Sequence, residues 1–286
     1  MGNPSHQPAA PDQPDQPHES DRPERPADAP PPEPVATLLL VRHGLTSVTG
    51  STLTGRAPGV HLDDRGRAQA ADLAARLAGL DLAAIVASPL ERCQETAAAI
   101  AEATGRPVAT DAAFTECDYG EWTGRTLTEL AREPLWRTVQ AHPSAARFPG
   151  GEAMTDMSAR AVAGVRAWNR RLLAESAAPV YVVCSHGDVI KAITADALGL
   201  HLDQFQRIQA DPCSLTAIRY TAVRPFVLRL NDVGGSVAGL VPAPEDASGD
   251  AAVGGGAGGA RTARPGTAPA HAPGPSPASA AGPAGA

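Results

Sequence analysis

The chain has 286 residues and a formal net charge of −7, from 24 Lys plus Arg against 31 Asp plus Glu. That balance argues against a nucleic-acid partner, because binding by counterion release requires a basic face. No apolar run approaches the length of a membrane span and the N-terminus lacks the apolar core of a signal peptide, so no membrane partner and a cytoplasmic location are expected.

Composition divides the chain into three parts. Residues 1–35 are rich in Pro, Asp, Glu, Gln and Ala, and residues 241–286 in Gly, Ala and Pro. Neither part holds enough apolar surface to offset its ordering entropy, and both are expected to be disordered tails. Residues 36–240 have the length and apolar content of one α/β domain.

Within that domain "TLLLV" (37–41) predicts a buried strand that ends in Arg42, His43 and Gly44. "LDDRGRAQAADLAARLAGL" predicts a helix capped by Asp63 or Asp64. "LAAIVASP" predicts a second strand, and "LERCQETAAAIAEATG" a helix stopped by Gly105 and Pro107. "PVATDAAF" predicts a third extended segment and "EPLWRTVQAHP" a short helix. A long amphipathic helix over "GEAMTDMSARAVAGVRAWNRRLLAES" follows, then a buried strand in "PVYVVCSHG" and a helix in "DVIKAITADALGL". "SLTAIRY" and "PFVLRLND" predict a closing strand pair near one edge. Alternation of this kind implies a three-layer α/β/α sandwich around a mostly parallel sheet, with one edge strand antiparallel. Ligands of such sheets bind beyond the carboxyl ends of the strands.

Three strands end in related chemistry: Arg42-His43-Gly44, Ser88-Pro89 leading to Arg92, and Ser185-His186-Gly187. Transfer of a phosphoryl group needs a nucleophile, cations for the equatorial oxygens and an acid for the leaving oxygen. An imidazole serves as nucleophile, arginines hold phosphate with a planar fork, and a second, protonated imidazole neutralises developing charge. His43, Arg42, Arg92 and His186 supply that set, and Gly44 and Gly187 would let backbone amides approach the oxygens. In "FTECDYGEWTG", Glu116 is the candidate acid if Phe114, Tyr119 or Trp122 shields it; Asp118 and Glu121 are rivals.

The ordered set "VRHGLT", "LDDRG", "SPLERCQETA", "ECDYGEWTG", "PGGE" and "VVCSHGDVIK" resembles the histidine phosphatase, or phosphoglycerate mutase-like, superfamily over about Thr37 to Asp232. Within it the chain is most similar to actinobacterial phosphomutase and phosphatase proteins. The resemblance implies a phosphoglycerate mutase-like fold. It makes His43 the phosphorylated nucleophile, Arg42 and Arg92 phosphate ligands, His186 the other pocket imidazole and Glu116 the proton donor. Thr46 keeps an expected hydroxyl, whereas Thr49, followed by Gly50, stands where the family commonly has Asn, so a phosphate contact from an amide is lost or taken over by a hydroxyl. No cofactor and no metal are implied, and the partner is a small phosphorylated metabolite.

Other residues carry plainer expectations. His61, His142 and His201 lack a partner pattern and read as surface or core residues; His6, His18 and His271 fall in the tails. Cys93, Cys117, Cys184 and Cys213 are widely spaced, which predicts free thiols in a reducing compartment and neither a zinc site nor a disulfide framework. Trp122, Trp136 and Trp168 read as packing anchors, with Trp122 a candidate pocket wall, and Glu152 is a candidate substrate contact. The reading that follows is a metal-independent phosphatase of small phosphomonoesters. Its alternatives are a phosphoglycerate-type mutase, a phosphoprotein phosphatase and a catalytically weak binding module, and a homodimer is compatible with all of them. The short span from Gly124 to Gly150, with few cations, favours the phosphatase over the mutase.

Overall fold

Strand β1, Ala36–Arg42, is apolar on both faces because both faces are covered. The computed structural model describes residues 33–235; the two tails, with His6, His18 and His271, lie outside the described residues. Leu38 and Leu40 point into one core, shared with Tyr181, Val183, Met157 and Ile190. Leu39 and Val41 point into the other, with Leu73, Ile85, Ile100 and Val182. The alternation of side chains along a strand produces this division.

Six strands form one sheet in the order β3-β2-β4-β1-β5-β6, with β2 at Ala84–Ala87, β3 at Val108–Thr110, β4 at Val180–Ser185, β5 at Leu215–Tyr220 and β6 at Pro225–Asp232. β1 to β4 are parallel; β5 runs antiparallel to β1, and β6 antiparallel to β5. The antiparallel strand of the sequence reading is thus second from the edge, and β6 forms the edge itself.

Helices α1 (Asp64–Leu77) and α2 (Glu91–Thr104) pack together on one face, and α5 (Met154–Leu173) and α6 (Gly187–Leu198) on the other. Asp63 resolves the choice of cap for α1, accepting from the Gly66 amide. Gly105 ends α2 in the left-handed conformation at φ 69°. Two short helices, α3 (Leu127–Leu130) and α4 (Pro134–Ala141), fill the excursion before α5. The sequence reading omits α3, whose four residues are too few to show helical periodicity; a Thr126 and Glu129 capping box holds it. Among the described residues no helix is long and apolar enough to cross a membrane.

Candidate active site

The parallel register brings the ends of β1 and β4 side by side, Arg42 opposite Ser185, with the end of β2 next to β4. The His43 amide continues the ladder by donating to the Ser185 carbonyl at 3.0 Å. Beyond these ends lies an open pocket whose lining includes Arg42, His43, Arg92 and Glu116.

His43 Nδ1 lies 2.8 Å from the Gly44 carbonyl oxygen, which can only accept, so Nδ1 carries the proton and Nε2 keeps a lone pair. Arg92 Nε donates toward that Nε2 at 3.3 Å. Burial, then the charges of Arg92 and Arg42, hold His43 well below the ordinary imidazole range. It is therefore neutral, as a nucleophile must be.

The two guanidinium groups are unusual in what they lack. Arg42 and Arg92 are 2% and 1% exposed, and neither has a carboxylate within salt-bridge distance among the described residues. One nitrogen of Arg42 donates to the Ala210 carbonyl, and one of Arg92 to the Gly55 carbonyl. Arg42 Nε and Arg92 Nη1 are buried with no hydrogen-bond partner. A buried donor left so costs about 1–3 kcal/mol, which an arriving anion recovers.

His186 contacts the same machinery from behind. Its Nδ1 accepts from Arg92 Nη2 at 3.2 Å and its Nε2 donates to Ser88 Oγ at 2.8 Å. Burial, then Arg92, lower its pKa well below the usual range. In this arrangement it is neutral, its Nδ1 faces Arg92, and it lies just off the pocket lining.

Of the three carboxylates considered, Glu116 alone is a pocket-lining residue. It is 4% exposed, and burial together with nearby Asp188 raises its pKa to about 7. Asp118 is instead paired with Arg56, and Glu121 is exposed. Tyr119 lines the pocket and donates to Asp188 Oδ2 at 2.7 Å. Trp122, proposed as a wall, instead packs among Trp136 and Phe148.

Thr46 and Thr49 line the pocket and bind each other: the Thr49 hydroxyl accepts from the Thr46 amide and lies 2.9 Å from the Thr46 hydroxyl. Gly44 does not line it. Its amide donates to Thr96 Oγ1, and a Cβ there would meet the Gly66 carbonyl oxygen at 2.6 Å, so this glycine permits close packing against α1. Gly187 opens α6 directly after His186 and also lies off the pocket lining.

Glu152 faces a clasp and not the pocket. Arg160 contacts both its oxygens at 2.7 and 3.0 Å, and Arg56 one of them at 3.0 Å. The same two arginines donate to the Glu116 carbonyl oxygen, and Arg160 also to that of Ala113. The clasp thus fixes the segment that presents Glu116. Arg56, Arg160 and Asp188 escaped the sequence reading, since Arg160 sits mid-helix among other arginines and its partners lie far along the chain.

The remaining residues fall to plainer roles. His61 pairs with Glu95 at the surface, and His142 and His201 flank Asp203. All four cysteines are buried free thiols. Among the described residues no group of three or more His, Cys, Asp or Glu is placed to hold a metal ion.

Comparison with known proteins identifies relatives in sequence and in fold. Over 180 residues the chain is 34% identical to a glucosyl-3-phosphoglycerate phosphatase of Mycolicibacterium vanbaalenii, covering 60% of this chain and 78% of the relative. It is 32% identical over 183 residues to an Enterobacter protein named as a probable phosphoglycerate mutase, GpmB, covering 63% and 83%. The solved structure of a mycobacterial glucosyl-3-phosphoglycerate phosphatase superposes with a TM-score of 0.61 at 26% identity, covering 69% of this chain and 99% of that one. The family model for the histidine phosphatase superfamily (branch 1) matches residues 38–233. With its motifs in order and its paired arginines and imidazoles at the strand ends, the chain belongs to the histidine phosphatase superfamily.

Proposed function

We propose that this chain is a metal-independent phosphatase of small phosphomonoesters, with His43 as the group phosphorylated during turnover. The observation that carries this reading is the pair of buried guanidinium groups, Arg42 and Arg92, each with an orphan N–H, beside an imidazole Nε2 that bears a lone pair. In the first step Nε2 bonds to phosphorus and the bond to the leaving oxygen breaks. The neutral carboxyl of Glu116 gives that oxygen its proton. In the second step the Glu116 carboxylate takes a proton from water, whose oxygen attacks phosphorus and releases Nε2. Arg42 and Arg92 hold the transferring group in both steps, and His186 keeps Arg92 in place.

Acid–base balance supports the assignment. At neutral pH His43 is unprotonated, and Glu116, with a pKa near 7, can give and take a proton. A mutase would have to retain a second anion while the first is transferred. Among the residues lining the pocket the only cations are the two that hold the transferring group, which favours hydrolysis. We assign the catalytic unit to residues 36–240, flanked by two tails. A cytoplasmic location is favoured by four unpaired thiols.

Acid-labile, base-stable label transferred from a phosphate donor to wild type, and absent from His43→Ala, is the expected result. The same absence of label in both proteins would overturn the covalent mechanism in favour of a binding module. Efficient interconversion of 3-phosphoglycerate and 2-phosphoglycerate, primed by the bisphosphate and without phosphate release, would establish the mutase instead.

A further inference from the structure

The pocket has an uncharged wall as well as its reacting groups. Thr49, Thr52, Leu53 and Thr54 from the loop after β1 line it together with Tyr119 and Leu127. None of these six side chains is charged. The cations closest along the chain are engaged elsewhere, Arg56 with Glu152 and Asp118, and Arg125 with Glu133. The Thr49 hydroxyl is held by Thr46 and the Tyr119 hydroxyl by Asp188. Thr52 and Thr54 are half-buried, and their hydroxyls have no hydrogen-bond partner among the described residues.

Resting on the phosphatase reading, we propose that this wall selects an uncharged, hydroxyl-bearing leaving alcohol, so that the substrate is the phosphate ester of a polyol or sugar. The ester's P–O bond breaks, water supplies the hydroxyl of the released phosphate, and the alcohol departs with a proton from Glu116. Hydroxyls of such an alcohol exchange water for the free threonine hydroxyls, and its C–H surface lies against Leu53, Leu127 and the Tyr119 ring. A carboxylate or second phosphate on the alcohol would be desolvated beside Glu116 with no cation to pair it.

Glycerol 3-phosphate and 3-phosphoglycerate test this directly, since they differ mainly in a terminal hydroxymethyl against a carboxylate. Wild type is expected to show a kcat/KM at least about tenfold higher for glycerol 3-phosphate. Binding of both esters to His43→Ala, measured by calorimetry, is expected in the same order. Thr52→Arg and Thr54→Arg should each move the ratio toward 3-phosphoglycerate by supplying the missing cation. Equal or better handling of 3-phosphoglycerate by wild type, or an unchanged ratio in both arginine variants, overturns the proposal. Should wild type release phosphate from neither ester, the phosphatase reading fails, and the binding order in His43→Ala still decides what the wall prefers.

Discussion

At the scale of the residue, the pocket is governed by desolvation. The same burial that keeps His43 neutral keeps Glu116 protonated to about pH 7, so the proposed nucleophile and the proposed acid coexist at neutral pH. kcat/KM for an alkyl phosphate should therefore decline above about pH 7 as Glu116 ionises, and decline in acid as His43 takes a proton. Glu116→Gln should lower kcat by about 10²–10⁴ for an alkyl phosphate and by much less for p-nitrophenyl phosphate, whose leaving group needs no proton. Its pH profile should also lose the alkaline limb. Stability carries the same signature. Because the folded pKa of Glu116 lies above its unfolded value of 4.5, the native state binds the extra proton between about pH 4.5 and 7, and stability falls as pH rises through that window. Glu116→Gln removes a penalty on the order of 3 kcal/mol above pH 7, so denaturant unfolding should show it gaining on wild type at pH 8 relative to pH 4.5. His43 and His186 act in the opposite sense: their folded pKa values lie below 6.5, and stability is lost as pH falls beneath that value.

At the scale of the element, what matters is how each segment is pinned to the sheet end. The Glu116 segment contains two single-turn 3-10 helices, Ala112–Phe114 and Gly120–Trp122, and no strand, so Arg56, Arg160 and Glu152 supply the order that a ladder would otherwise provide. Arg160→Met should destabilise the fold by about 1–3 kcal/mol by leaving Glu152 Oε1 and the Ala113 carbonyl without a side-chain donor, Arg56 alone among side chains then holding Glu152 Oε2 and the Glu116 carbonyl. It should reduce kcat more than it raises KM, because Arg42 and Arg92 still bind phosphate while the acid is misplaced; steady-state kinetics separates the two. The His43 loop is pinned differently, by backbone contact with α1. A Cβ on Gly66 would lie 2.0 Å from the Leu45 carbonyl oxygen. Gly66→Ala should therefore cost about 1–3 kcal/mol in chemical denaturation despite the better helix propensity of alanine, since backbone cannot yield as a side chain does.

At the scale of the whole molecule, the parallel centre of the sheet explains why residues from positions 42 to 186 gather in and beside one pocket. Parallel strands end on the same side, and β1, β4 and β2 are neighbours although β4 comes last of the three in sequence. The catalytic unit proposed above leads to a simple expectation: a chain trimmed to residues 33–240 should retain its kcat/KM within about twofold and its unfolding midpoint, because that span keeps every residue of the two core clusters found among the described residues. A large loss of either would assign the tails a part in the fold or the site.

Much of this was legible in the chain alone. A continuous apolar run bounded by Pro-rich sequence and Arg-His-Gly has to be a strand buried on both faces, and local patterns of that kind identify β1, β4 and the helices between them. The motif spacing likewise identified His43, Arg42, Arg92 and Glu116, because their chemistry is written in short, ordered segments. Other features depend on contacts between residues far apart in sequence, and no local period records those. They include the neutral state of His186, the diversion of the Gly44 amide to Thr96, the clasp on Glu152 and the uncharged wall. The sequence by itself thus determined which groups meet at the strand ends, whereas only the tertiary structure decided their protonation, their partners and what surrounds the leaving group, since burial and distance set all three.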